Sequence, residues 1–195
     1  INLMRGGREE TPFRIKIIQI ETRDHKSRLG HCPGVTLDML TKGALSLTPQ
    51  EHRNMQSFAT KLIQALNGTV KVEIRSPSGT NLSLNVEGRE FYTDTRIDWK
   101  TMKWMNLPTG EVIVAPLENS LDGKLVCDMA IGGIGPLKTP LEINAESGKA
   151  RETTSKDHDV LRRVKETLAT DEWSNIVGEF AFGINPKARF TEEFL

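Results

Sequence analysis

A chain of 195 residues is long enough for one full domain, or one domain and part of another, with a hydrophobic core that needs no disulfide staple. Its 26 Lys plus Arg balance 26 Asp plus Glu, which removes the electrostatic case for a nucleic-acid or anionic-membrane partner. The two cysteines, Cys32 and Cys127, lie outside any C-x-x-C pairing and read as free thiols; with no apolar run of roughly 18 residues and no signal-peptide pattern, the expected location is the cytoplasm, away from any membrane.

Taken in chain order, the first predicted element is a strand over Arg14 to Glu21, where Ile15, Ile17, Ile18 and Ile20 supply β-branched residues. A charged stretch, Thr22 to Arg28, follows, then HCPGVTLDML, in which Pro33-Gly34 marks a turn. Gly43 to Ser46 reads as a linker. The best-defined helix starts with Thr48 as N-cap, Pro49 in the first helical position and Glu51 closing a capping box. Met55, Phe58, Ala59, Leu62, Ile63 and Leu66 then form one apolar stripe, expected in the core, and Asn67-Gly68 ends the helix.

A hairpin comes next. Val70, Val72 and Ile74 alternate along one strand, SPSGT makes the turn, and Leu82, Leu84 and Val86 alternate along the other. Trp99, Met102, Trp104 and Met105 crowd one short segment and read as core packing. Further strands are expected at Glu111 to Ala115, Lys124 to Ile131 and Pro140 to Asn144, with another short one after the ESGK turn. A helix is expected from His158 to Thr170, a strand from Ile176 to Phe182, and a last helix from Pro186. Short turns between most strands predict an α+β fold with a mixed, largely antiparallel sheet and flanking helices. The opening at Ile1 and the close at Leu195, inside that last helix, read as the ends of a fragment of a longer chain.

Several chemistries find no support. The Gly-rich IGGIGP is followed by Pro136 and Pro140, so no helix starts there to cradle a phosphate, and a tight turn is expected. The histidines His25, His31, His52 and His158 lack the spacing of a compact zinc site. His31 and Cys32 are adjacent and point to opposite sides of an extended chain, which rules out a nucleophilic pair. There is no G-x-S-x-G elbow.

Two carboxylates are left. Glu111 follows Gly110 and heads an apolar strand; Glu179 follows Gly178 inside another apolar run. An ionised carboxylate unpaired in such surroundings costs on the order of several kcal/mol. Either a buried Arg or Lys, or a metal ion, has to compensate it, and the residues by themselves leave both open. A glycine before each acid lets a second backbone or a ligand come close.

The segment NLPTGEVIVAPLENSLDGKLVCD resembles the signature of the thermophilic metallo-aminopeptidases, the aminopeptidase T-like family. That signature has the form N-x-P-x-GE-V/A-x-x-A-P-x-E followed by G-x-L/I-V-x-D. Asn106, Pro108, Gly110, Glu111, Ala115, Pro116 and Glu118 carry its first part, and Gly123, Leu125, Val126 and Asp128 its second. GEFAFGINPKAR resembles the family's GE-x-x-x-G-x-NP segment through Gly178, Glu179, Gly183, Asn185 and Pro186, and HCPGVTLDML is similar to the joint between its two domains. The resemblance implies an enzyme that removes N-terminal residues from a peptide substrate with two divalent metal ions (zinc, cobalt, manganese or magnesium) and works as a homodimer. Glu111 and Glu179 would be metal ligands, Glu111 bridging the pair. Residues 1–45 would be the end of a Rossmann-like N-terminal domain and the joint, and 46–195 the first part of the catalytic domain. The family's remaining ligands, two histidines and an aspartate, would lie beyond Leu195, so the fragment alone is expected to be inactive. The two carboxylates are expected on neighbouring strands, facing one cleft.

Two other readings stand beside this one. Relatives in the same superfamily open hydroxylated pyridine rings with a single iron and need not keep both glutamates. A non-catalytic α+β scaffold would hold Glu111 and Glu179 far apart or pair each with an arginine.

Overall fold

Two parallel strands and the helix that crosses between them begin the structure, a computed structural model that describes residues 1–4, 8–23, 27–96 and 104–189. Strand β1 (Asn2–Met4) pairs in parallel with β2 (Leu29–Pro33), with Leu3 opposite Cys32. Parallel neighbours cannot be joined by a tight turn and need a crossover. Helix α1 (Thr11–Thr22) provides it, entered through a short 3-10 turn at Arg8–Glu10. The strand expected over Arg14 to Glu21 is therefore the body of a helix. The helix penalty of isoleucine is below about 0.7 kcal/mol per residue, and the crossover overrides it. None of α1 is buried, and Phe13, Ile15 and Ile20 are each more than half exposed.

The turn after β2 falls where expected, with Gly34 at φ 67°. Thr36 Oγ1 then accepts from the Met39 N–H at 3.1 Å and opens helix α2 (Leu37–Thr41). Helix α3 (Pro49–Leu66) carries the predicted capping box: Thr48 Oγ1 accepts from the Glu51 N–H at 3.2 Å, and Glu51 Oε2 accepts from the Thr48 N–H at 2.7 Å. Its apolar stripe is only partly core. Met55 and Ala59 are buried and Phe58 is 54% exposed. Helix α3 packs against the later strand Glu111–Val114, which covers Met55 and Ala59 and leaves Phe58 open.

Strands β3 (Lys71–Arg75) and β4 (Asn81–Asn85) form the expected hairpin, with Val72 opposite Leu84 and Ile74 opposite Leu82. After β5 (Tyr92–Thr93), strand β6 (Trp104–Asn106) returns to pair in parallel with β2. Of the aromatic and methionine cluster expected in the core, Trp99 and Met102 lie outside the described residues and Met105 is half-buried; Trp104 is exposed on the edge strand β6, with its ring edge-on to His31 at 6.3 Å.

Then come β7 (Glu111–Val114), β8 (Asp122–Cys127), the small hairpin β9 (Ala130–Ile131) and β10 (Gly135–Pro136), β11 (Leu141–Glu146) and β12 (Lys149–Ser155). The hairpin is the tight turn expected of IGGIGP. Helix α4 (His158–Leu168) starts at Asp157, whose Oδ1 accepts from the Asp159 and Val160 N–H groups, and β13 (Phe180–Gly183) follows. Beyond it Pro186 and Lys187 form a turn where a helix was expected; residues 190–195 are outside the described part.

Two antiparallel sheets dominate, a five-stranded one in the order β12-β11-β8-β4-β3 and a three-stranded one in the order β13-β7-β5. With the helices on their flanks the class is α+β. The core lies between the sheets: Leu84, Val86 and Val114 are buried, with Ile74, Phe91, Leu121 and Phe180 packed on them. Gly123 lets β8 reach β4. At φ 112°, a Cβ there would run into the Asn81 carbonyl oxygen. The expected strand from Ile176 to Phe182 is split: Ile176 bridges to Lys149, while Phe180 onward pairs with β7, so the chain changes sheets at Gly178. Among the described residues no helix is long and apolar enough to cross a membrane.

Candidate metal centre

The corner that leads into β7 is held from three directions. Asp94, just past β5, accepts at Oδ1 from the Gly110 N–H (2.9 Å) and the Glu111 N–H (2.8 Å). Thr93 Oγ1 donates to the Glu111 carbonyl at 2.7 Å. From the other side Ile184 N–H donates to the Gly110 carbonyl at 2.7 Å. Gly110 sits at φ 133°, and a Cβ there would lie 2.5 Å from Asn185 Cβ. The glycine before the first acid is thus a close-approach position, as expected, and the approaching backbone belongs to the second motif; Gly178, before the second acid, has nothing within 4 Å of a Cβ and is not one.

Asn185 ties the motifs together. Its Nδ2 donates to the Thr109 carbonyl (2.8 Å) and to the Ala44 carbonyl (3.0 Å), and its Oδ1 accepts from the Lys187 N–H. Lys187 Nζ reaches Glu51 at 2.9 Å and the Ser46 carbonyl at 3.0 Å. The segment Gly43 to Ser46, expected to be a linker, is fastened to the second motif.

Register decides where the acids point. Gly183 stands opposite Glu111 and Phe180 opposite Val114, while Tyr92 on the far strand stands opposite Ile113. Side chains alternate along a strand and paired residues share a face. Val112, Val114 and Phe180 take the core face. Glu111, Ile113, Tyr92 and Ala181 take the other; Glu179 lies one residue ahead of β13, and its charge reaches Glu111 and Tyr92. The expectation put the two carboxylates on neighbouring strands facing one cleft: β7 does pair with β13, but the cavity beside Glu111 is not lined by Glu179. Glu111 heads β7, and Glu179 stands one residue ahead of β13. The strands are antiparallel, so the two heads sit at opposite ends of the ladder, about 13 Å apart along the backbone at about 3.3 Å per residue. Neither acid is enclosed: Glu111 and Glu179 are both exposed.

The electrostatics still single this face out. The Glu111 carboxyl has its pKa raised, first by partial withdrawal from water and then by the charges of Asp94 and Glu179. Burial raises Asp94 as well and outweighs the backbone hydrogen bonds that it accepts. Tyr92 is raised by burial and then by Glu179, Glu111 and Asp94. Among the described residues no Lys or Arg forms an ion pair with Glu111 or Glu179. The arginine alternative for compensating them finds no counterpart there.

Carboxylates without a protein cation suit a hard or borderline dication. Glu111 and Glu179 fit as two donors of such a shell, not as the whole of it. Among the described residues no group of three or more His, Cys, Asp or Glu is close enough to hold a metal. A cavity of about 450 Å³ opens beside Glu111 and Asp94, between Pro33 and Met39 of the joint segment and Leu107 and Pro108 of the β6–β7 corner. Of the histidines, His31 is buried in the parallel sheet, with its pKa lowered by burial and by Arg14, His52 and His158 lie on α3 and α4, and His25 is outside the described residues. Asp94 and Tyr92 were not foreseen, because nothing in REFYTDTRIDWK marks them; only the pairing of β5 with β7 brings them to the acids.

The family description thermophilic metalloprotease (M29) matches residues 49–192. Among solved structures the chain is similar to 2,5-dihydroxypyridine dioxygenase from Pseudomonas putida KT2440, at 17% identity and a TM-score of 0.64 over 92% of this chain and 49% of that one. It is also similar to wild-type AmpT from Thermus thermophilus, at 22% identity and a TM-score of 0.47 over 69% of this chain and 33% of that one. The first likeness, at so low an identity, shows a shared fold and nothing of the reaction. The chain spans about half the length of the dioxygenase and a third of AmpT. None of the curated proteins matches it.

Proposed function

The chain belongs to the thermophilic metalloprotease (M29) family, and from that premise we propose that the whole protein is a metal-dependent aminopeptidase whose Glu111 and Glu179 each give a carboxylate to a pair of divalent ions. The carrying observation is that Glu111, at the head of β7, and Glu179, just ahead of its partner β13, act on each other's charge with no cation partner among the described residues. Zinc, cobalt, manganese and magnesium all suit such oxygen donors. Bound there, the ions would polarise the scissile carbonyl and supply a water acidic enough to attack it.

The chain's own residues do the positioning. Asp94 and Thr93 fix the main chain of Glu111, so its carboxylate leaves a rigid strand end. The net negative charge of the face favours the α-ammonium of a peptide N-terminus, and the adjoining cavity gives its side chain room. A homodimer goes with this reading through the family resemblance, and a cytoplasmic location through the two free thiols, Cys32 and Cys127.

The test is release of the first residue from short peptides by the full-length protein after chelation and re-addition of each ion. Activity should appear only with a dication and only on peptides with a free amine. Undiminished cleavage in chelator, or cleavage of N-acetylated peptides, overturns the proposal.

A further inference from the structure

We propose that Tyr92 is a catalytic residue of this reaction, its phenol donating a hydrogen bond to the scissile carbonyl oxygen as that oxygen takes on negative charge. The inference rests on the aminopeptidase reading and adds a protein donor to it.

Placement is the first ground. Tyr92 stands opposite Ile113, and Thr93 opposite Val112, so the Tyr92 ring leaves β5 on the face that carries Glu111. With the strand order β13-β7-β5, that face takes Glu111 from β7 and Tyr92 from β5, and the charge of Glu179, one residue ahead of β13, reaches both. A peptide bond lying over β7 would have Glu179 towards β13, Glu111 at the end of β7 and the phenol on the β5 side.

The second ground is the hydroxyl itself. A tyrosine in the field of three carboxylates would ordinarily give its O–H to one of them. Among the described residues the Tyr92 hydroxyl makes no hydrogen bond, and the residue is 45% exposed. Its donor is open to a ligand. The third ground is rigidity: the next two residues, Thr93 and Asp94, are bonded to Glu111 and Gly110, so the phenol and the acid share one frame.

The chemistry follows. A phenol ordinarily titrates at about 10, and burial raises Tyr92 further, so at neutral pH it is a donor and not a phenolate. As the water oxygen bonds to the carbonyl carbon, the carbonyl π pair moves onto its oxygen, and the Tyr92 O–H meets that charge without giving up its proton. When the C–N bond breaks, the departing nitrogen takes a proton from the attacking water, so the phenol ends as it began.

Tyr92→Phe in the metal-loaded full-length protein tests this, since it keeps the ring. The expected result is a kcat lower by about 10²–10³-fold, the usual loss for one oxyanion donor, with KM and metal affinity nearly unchanged. By calorimetry, a tetrahedral α-aminophosphonate analogue should bind more weakly by a similar factor, while the product amino acid binds as before. A kcat within about threefold of wild type overturns the proposal, as does a parallel fall in metal, amino-acid and analogue affinity, which would mark a structural role. Both failures leave the aminopeptidase reading intact; a wild type that cleaves no peptide with any dication defeats both.

Discussion

Asp94 Oδ1 accepts the Glu111 N–H at 2.8 Å, so one acid sets the backbone from which another projects. The contact puts two like charges on one corner, and that corner tolerates them because Asp94 is satisfied by main-chain donors.

Asp94→Ala should destabilise the protein by about 1–3 kcal/mol, the cost of leaving buried donors unmet. Asp94→Asn keeps an acceptor oxygen and should lose less than half of that. Urea melts of both variants check the order; equal losses would mean that the hydrogen bonds do not hold the corner.

Glu111→Gln should abolish peptide cleavage and cut affinity for manganese by at least about tenfold, with no loss of thermal stability in the metal-free protein. Removing one charge from a cluster of like charges costs the fold nothing. A metal titration followed by calorimetry reads the first effect and a thermal scan the second.

The same substitution has a pH signature. A carboxyl whose pKa is raised on folding favours the folded state most below its unfolded value, near 4.5, and loses that contribution as pH rises through the folded value. Metal-free wild type should therefore weaken relative to Glu111→Gln as pH climbs above about 4.5. Other carboxyls slope the opposite way, so the difference between the two curves is the quantity to measure. A difference that stays flat across the carboxylate range would contradict the raised value.

Glu51 slopes that opposite way. Its pKa is lowered to about 2, chiefly by the Thr48 backbone hydrogen bond and then by Lys187. Its contribution is present above about 4.5 and is lost as pH falls towards 2. Lys187→Met removes only the second cause, so its deficit against wild type should shrink over that range and disappear at the acid end, in acid-denaturation curves recorded at fixed salt.

Gly110→Ala should be among the most damaging single-methyl changes in the chain. Its φ of 133° is strained for any L side chain, and the added carbon would lie 2.5 Å from Asn185 Cβ. Strain of about 1–3 kcal/mol precedes any cost of moving Asn185, and a thermal scan should show the loss with or without metal.

What the sequence made legible follows the reach of each interaction. Thr48, Glu51 and the spacing from Met55 to Leu66 identify α3 because a cap and a helical stripe are local. Val72, Ile74, Leu82 and Leu84 identify the hairpin for the same reason. Arg14 to Glu21 misled because its role is set by the parallel pairing of β1 with β2, which no short window contains. Glu111 and Glu179 could be picked out by the glycine before each, but not their exposure or their separation, which depend on the antiparallel sense of β7 and β13. Asp94, Tyr92 and the two carbonyls held by Asn185 are long-range partners throughout.

Between Ile176 and Phe180 the polypeptide crosses a seam, and Glu179 is its last step. The orientation of that carboxylate is inherited from Phe180 alone. One residue inserted between them would leave both ladders zipped and turn the acid away from its counterpart. Short length changes at this junction are thus a route by which a homologue could retain the architecture and forfeit the chemistry.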